Sequence, residues 1–492
     1  MRWRFLSAVL ILWFGAASLS AAERPPNIVV LLCDDLGWAD LGCFGSTFYE
    51  TPHLDRLASQ GMMFTRGYAA CPVCSPTRAS LMTGQYPQRL GITDYIAPNG
   101  ANQPAQWKKN TKHLPAAYKD RLALEAGTIA EAARDAGYAT FFAGKWHLGP
   151  EGFYPEDQGF QTNLGGIEQG GPYGGGKYFS PYGNPRLADG PPGEHLPIRL
   201  ARETARFIDQ HKHEPFLAYY AFYDVHTPLM AREDLRQKYE EKRRRRMLSD
   251  QFGREEPRDV RLTQAHVVYA AMVEAMDEAV GIVLNQLNAS GVEGETIVVF
   301  TSDNGGLSTS EGWPTSNLPL RAGKGWVYEG GIRVPWIVRW PGVAKAGTTS
   351  TTPVCSVDVY PTLLAAMGRK PAEGQVLDGV DLSPLLRGET IAPRSLFWHY
   401  PHYGNQGGAP VAAVRNAEWK MIQSMETGRV ELYEIEKDPS ESRDVAANHI
   451  PVVAELTKEL EAWQKAVGAT YPVVNPGYKE DGPDGRAAAR PK

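Results

Sequence analysis

Two acidic pairs carry the first chemical signal. Asp34 and Asp35 follow an apolar run, residues 27–32, with only Cys33 between. Asp303 and Asn304 follow a second such run, residues 296–301, and Gly305-Gly306 come next. Adjacent carboxylates repel each other and call for a cation. Three Asp and one Asn offer only hard oxygens, which suit Ca²⁺, and Mg²⁺ less well, rather than Zn²⁺. Either pair alone is ordinary turn or capping chemistry. Two pairs, each at the end of a buried strand, favour a metal, because open α/β sheets collect ligands outside the carboxyl ends of their strands. A third segment runs from Cys71 through Cys74-Ser75-Pro76-Thr77-Arg78 to Gly84. Pro76 fits the first turn of a helix starting near Ser75. Cys74 then sits at that helix N-terminus, where the dipole favours an anion or a thiolate. Taken alone, the Cys71-x-x-Cys74 spacing reads equally as a disulfide or redox pair.

The elements that must position these residues alternate. Residues 27–32, 139–143, 216–222, 296–301 and 334–340 read as buried strands. Residues 52–57, with Thr51 as cap, 128–137 and 265–287 read as helices. This alternation predicts a large α/β/α sandwich with a mixed central sheet. After residue 388 the pattern changes to short strands at 395–400, 412–415, 419–422 and 431–435 and one amphipathic helix at 452–467. That predicts a small α+β domain with an antiparallel sheet. The expected division is a signal peptide at 1–22, a catalytic domain at 23–393, the small domain at 394–472 and a disordered tail at 473–492.

The chain has 492 residues, 42% hydrophobic and 22% charged, which excludes disorder throughout, collagen and coiled coil. Its net charge of −5 gives no pull toward nucleic acid. Arg2 and Arg4, a short apolar run over 5–14 and the small residues Ser20-Ala21-Ala22 read as a secretory leader, too short for a membrane anchor. The protein is therefore expected to be secreted or periplasmic. There the five cysteines, Cys33, Cys43, Cys71, Cys74 and Cys355, meet oxidising conditions. If one is reserved for chemistry, the other four allow three pairings.

Cys74-Ser75-Pro76-Thr77-Arg78, followed by Leu81-Met82-Thr83-Gly84, resembles the C-x-P-x-R signature of type I sulfatases, arylsulfatase-like members of the alkaline phosphatase superfamily. Four further segments resemble that family and occur in its order: Gly144-Lys145-Trp146-His147-Leu148-Gly149, Val225-His226-Thr227-Pro228, Asp303-Asn304-Gly305-Gly306, and Gly323-Lys324 with Tyr328-Glu329-Gly330-Gly331. Small Gly/Pro motifs recur by chance, but five in order do not. The resemblance implies that Cys74 is oxidised to formylglycine by a maturation enzyme. It implies Ca²⁺ held by Asp34, Asp35, Asp303, Asn304 and residue 74. One hydroxyl of the hydrated aldehyde would attack sulfur, with Asp303 a candidate to take its proton. Arg78, Lys145 and Lys324 would hold sulfate oxygens. His226 and Lys324 are the candidates to protonate the leaving alcohol. His147 is the candidate to deprotonate the second hydroxyl and expel sulfate.

The remaining histidines, His402 among them, read as structural or surface groups. His402 and Tyr403 are also weighed as substrate contacts from the second domain. Gly170 to Gly176 reads as a flexible loop on the pocket rim, and Lys242 to Arg246 as a solvated helix. Three functions follow, from different classes. The first is a sulfatase acting on sulfated small molecules or saccharides, with galactose or N-acetylgalactosamine sulfate preferred. The second is a phosphate or phosphonate ester hydrolase. The third is a non-catalytic sulfated-glycan binder.

Overall fold

The computed structural model describes residues 24–487. The expected signal peptide therefore lies outside the described residues. Eight strands form the main sheet: β1 Asn27–Cys33, β2 Met62–Phe64, β3 Ala139–Gly144, β4 Thr162–Leu164, β5 Phe216–Ala221, β6 Thr296–Ser302, β7 Trp336–Arg339 and β8 Thr348–Ser350. Their order is β8-β2-β7-β6-β1-β5-β3-β4. The run β6-β1-β5-β3-β4 is parallel, and β7 joins β6 and β2 antiparallel, so the sheet is mixed as expected.

The apolar strands are buried on both faces for a visible reason. Val29 and Leu31 of β1 enter one core with helices α1 Pro52–Gln60, α4 Leu196–His211, α5 Glu233–Arg245 and α6 Val267–Ala289. Ile28, Val30 and Leu32 enter the opposite core with α2 Cys74–Thr83, α3 Ile129–Asp135 and α7 Val359–Ala366. Alternate side chains of one strand thus feed two helical layers.

Several local expectations change. Thr51 makes no side-chain cap on α1; its Oγ1 instead accepts the Gly42 N–H at 2.8 Å. Thr128 does cap α3, in a reciprocal box with Glu131. The strand expected over 334–340 is divided at Pro335. Arg333–Val334 pairs with Gly67–Tyr68 in a separate small sheet, and β7 joins the main one. Proline has no N–H to continue a ladder. All five cysteines are unpaired, Cys71 and Cys74 included.

The small domain is a four-stranded antiparallel sheet, β9 Leu396–Tyr400, β10 Val411–Arg415, β11 Trp419–Ser424 and β12 Val430–Glu434, with α8 Ile450–Ala466 on one face. Its other face packs through Leu396, Trp398, Tyr400 and Ala413 onto Tyr68, Cys71 and Val73, the segment leading into α2. The stretch read as a disordered tail instead has backbone partners through its described part. Val473–Val474 pairs antiparallel with His113–Leu114, and Asn110 bonds Lys479, Pro483 and Gly485. No helix among the described residues is long and apolar enough to cross a membrane.

Candidate active site

Four neighbouring parallel strands deliver the site. Cys33 and Ser302 are in register at the ends of β1 and β6, so Asp34-Asp35 and Asp303-Asn304 emerge side by side. Gly144 and Ala221 are in register at the ends of β3 and β5, which place Lys145 and, five residues on, His226 beside them. Gly144 is required there: its φ is 98°, and a Cβ would stand 1.8 Å from the Ala221 carbonyl oxygen. Cys74 reaches the cluster as the first residue of α2.

The structure gathers every residue expected from the sequence, but not in identical surroundings. Asp34, Asp35, Asp303 and Asn304 are fully buried. Lys145 Nζ donates to Asp34 Oδ2 at 2.6 Å, and Lys324 Nζ pairs with Asp35 Oδ1 at 2.6 Å. Arg78 Nε donates to Asp303 Oδ2 at 2.8 Å. The side chains of Arg78 and Lys145 thus face the carboxylates, while Lys324 also lines the open cleft. Burial pushes the Asp34 carboxyl well up, with Asp303 adding to it. Burial would do the same to Asp35, but Lys324, then His226 and Lys145, hold it below the usual carboxylate range.

Whether these residues suit a cation is tested by the oxygens left over. Asp34 Oδ1, Asp35 Oδ2 and Asn304 Oδ1 are buried with no hydrogen-bond partner. Unsatisfied buried polar atoms are rare, and here three belong to the expected ligand residues. Ligand atoms of Asp34, Asp35, Cys74 and His226 all lie within 4.8 Å of one another. The donor set fits a hard divalent ion. Asp303 differs from its neighbours, since Oδ2 accepts from Arg78 and Oδ1 accepts the Asp35 N–H at 3.2 Å.

The histidines are defined by their free nitrogens. His147 Nε2 meets the Ile96 carbonyl at 2.9 Å, and Nδ1 is buried without a partner. A carbonyl only accepts, so Nε2 carries the proton and Nδ1 the lone pair. Burial, then Lys145, pushes this imidazole well below its ordinary range. The Ile96 N–H is in turn held by Ser75 Oγ at 3.0 Å, which ties His147 to the first turn of α2. Gly170 faces the ring, where a Cβ would approach to 2.7 Å. His226 Nδ1 meets the Thr227 carbonyl at 2.7 Å, so its neutral ring presents an unprotonated Nε2, 3.8 Å from Asp35 Oδ2. Burial, then Lys324, lowers it to about 3. His226 is thus held neutral, whereas Lys324, which burial alone would lower, is raised well above its ordinary range by Asp35, Cys74 and Glu311. Burial also pushes the Cys74 thiol up to about 11, overriding the helix end expected to favour a thiolate.

Above the cluster lies a cleft of about 1470 Å³, lined near its floor by Cys74, His147, His226 and Lys324. Tyr173 of the glycine-rich loop lines its rim. His402 and Tyr403 are buried and do not line it; Asn405 and Gln406 do. Those two, and Glu311, carry no signal in the sequence, because loops far apart in the chain bring them together.

A family model described as Sulfatase matches residues 26–369, and one described as N-sulphoglucosamine sulphohydrolase, C-terminal, matches 322–466. The chain is 33% identical to arylsulfatase A of Homo sapiens, over 91% of this chain and 89% of that one. It is 34% identical to N-acetylgalactosamine-6-sulfatase of Rattus norvegicus, over 77% and 69%. Among solved structures, Ps i-CgsB in complex with k-i-k-neocarrahexaose superposes with a TM-score of 0.71 at 30% identity, covering 89% of this chain and 93% of that one.

Proposed function

The chain belongs to the sulfatase family, has its alkaline phosphatase-like fold and is a sulfuric ester hydrolase, and from that premise we propose that it cleaves sulfate esters of carbohydrates by means of a formylglycine at position 74 and a bound Ca²⁺. The observation that carries this reading is the placement of Cys74. It lines the cleft with Lys324 and His147, and its Sγ lies within 4.8 Å of ligand atoms of Asp34, Asp35 and His226. A buried thiol pushed up to about 11 is a poor nucleophile at neutral pH, so the unmodified side chain does not serve the attack.

Asp34, Asp35, Asp303, Asn304 and residue 74 would hold the ion, with Asp303 also bracing Arg78 beside them. The ion would supply Lewis-acid polarisation of a sulfate oxygen. The hydrated aldehyde offers two hydroxyls on one carbon. One gives up its proton to Asp303 as its oxygen attacks sulfur and the S–O bond to the alcohol breaks, and the departing alkoxide takes a proton from Lys324 Nζ. The second hydroxyl loses its proton to His147 Nδ1, the C–O bond to sulfate breaks, and the aldehyde returns. Preference for galactose or N-acetylgalactosamine sulfates rests on the names of relatives such as the rat enzyme.

The test is the mass of the tryptic peptide spanning Gly67 to Arg78, taken from protein made in an exporting host with the maturation enzyme. An aldehyde or its hydrate at position 74 is expected, together with release of inorganic sulfate from sulfated sugars. A plain thiol in active protein would sink the mechanism. Adding Ca²⁺ to metal-stripped protein is expected to raise Tm, with about 2.7 kcal/mol of stabilisation at one hundred times Kd. An Asn304→Ala variant should lose most of that shift.

A further inference from the structure

The proposed mechanism leaves one wall of the cleft unused. Glu311 lines it close to Lys324, whose charge it reinforces, and Tyr173 lies on the same cleft with its ring centroid 6.3 Å from that of His226. Glu311 has a φ of 54°, a left-handed conformation that residues other than glycine seldom adopt. Such backbone persists where the surroundings over-determine it.

Those surroundings come from the small domain. Gln406 is buried, and its Nε2 donates to Glu311 Oε1 at 2.7 Å. The Gln406 carbonyl is fixed by Thr309 Oγ1 and Trp326 Nε1, each at 3.0 Å. Gly325 leaves the amide no slack, since a Cβ there would lie 2.5 Å from Gln406 Oε1. A carboxylate can only accept, so the amide must present Nε2 to it. Glu311 is thereby held with one oxygen occupied. Its Oε2 has no hydrogen bond, and no lysine or arginine pairs with the group among the described residues.

An acceptor of this kind matches a hydroxyl and mismatches a second sulfate or a carboxylate, which cannot donate and carry like charge. The exposed ring of Tyr173 offers an apolar surface for a sugar face on the same cleft. We infer that Glu311, oriented by Gln406 of the small domain, is a specificity-determining residue that accepts a hydroxyl of the sugar bearing the sulfate and selects against a second anionic substituent at that position. This deepens the sulfatase reading and rests on it.

The experiment compares wild type, Glu311→Gln and Gln406→Ala, each confirmed to carry the aldehyde. The probes are p-nitrophenyl sulfate, monosulfated galactose, N-acetylgalactosamine and glucosamine, and their disulfated counterparts. For Glu311→Gln, the ratio of kcat/KM on the best monosulfated sugar to that on p-nitrophenyl sulfate should fall about tenfold or more, because the sugar hydroxyl loses a charged acceptor. The ratio of disulfated to monosulfated turnover should rise by a similar factor. Gln406→Ala should raise KM on the sugar while kcat holds. Equal losses on every substrate, or no change on the sugar, would overturn the inference and leave Glu311 a structural residue. Cleavage of the aryl sulfate with no sugar turned over by wild type would overturn it too. Failure of aldehyde-bearing wild type on every sulfate ester would instead bring down the sulfatase reading, and this inference with it.

Discussion

Proton positions at single side chains decide which groups can act. His147 and His226 are both buried and both donate one ring N–H to a backbone carbonyl, yet they leave different nitrogens free. His147 keeps a lone pair on Nδ1, suited to take a proton, and His226 keeps one on Nε2, suited to accept and not to donate. Lys324 is left as the acid. An alkoxide is a stronger base than the amine even when the ammonium is stabilised, so the transfer still runs downhill. Protonation matters most when the leaving group is a poor one. Lys324→Met should therefore cost about 10²- to 10⁴-fold in kcat on sugar sulfates and far less on p-nitrophenyl sulfate. Rates along a series of leaving alcohols check this. A uniform loss across the series would assign Lys324 to sulfate binding alone.

At the scale of elements, the joint between the domains is a buried charge cluster. Lys420 of β11 pairs with Glu329 at 2.9 Å and with Glu441 at 2.8 Å, all three fully or almost fully buried. Glu441 also accepts the Glu329 N–H at 2.6 Å, and Tyr68 donates to Glu329 at 2.8 Å. Lys420→Met strands two carboxylates and should destabilise the protein by about 3–5 kcal/mol, read as a fall in Tm. Adding Glu329→Gln and Glu441→Gln to it should recover much of the loss. The two acids divide the titration. Burial would raise Glu329, but Lys420, then Arg333 and Arg415, lower it to about 2, so its stabilising contribution is present above about pH 4.5 and fades as pH falls toward 2. Burial raises Glu441 to about 7, so its contribution is present below about pH 4.5 and is lost as pH rises through 7. Relative to wild type, Glu441→Gln should therefore gain Tm steadily from pH 5 to pH 8. A flat difference would show that Glu441 is charged throughout. Glu329 belongs to a motif visible in the sequence, but its partners do not: Lys420 and Glu441 stand 91 and 112 residues away, at spacings no local pattern encodes.

For the whole molecule, what could be read from the chain follows the range of the interactions. The two acidic pairs were legible because strand and ligand are contiguous, and the parallel register of β1 and β6 brings them together without further information. The doubly buried strands were legible from unbroken apolar runs. The cleft wall was not, because residues 95–125 hold only short turns and the two residues His113–Leu114 in a strand. Part of its order comes from the far end of the chain. Val473–Val474 adds a strand to His113–Leu114, Asn475 bonds Lys112 and Thr111, and Gly485 bonds Asn110. Arg258 then ties the Arg486 carbonyl, at 2.6 Å, to that of Asn405, also at 2.6 Å, and Asn405 donates to the Tyr95 hydroxyl at 3.0 Å. A polar, Gly/Pro-rich tail reads as disorder when considered alone, since it buries little apolar surface of its own. Here it is held by backbone pairing to residues 110–114 of the cleft wall. Ending the chain at residue 472 removes that pairing and loosens the part of the wall around residues 110–114, while Ile96 stays held by Ser75 of α2 and by His147. Tm should change little. KM for a sulfated oligosaccharide should rise about tenfold, the scale of one or two lost hydrogen bonds, with kcat on p-nitrophenyl sulfate held near its full-length value. Faster hydrogen exchange confined to residues 110–114 would accompany it. Equal kinetics for the full-length and shortened chains on the oligosaccharide would show that the wall orders itself without the tail.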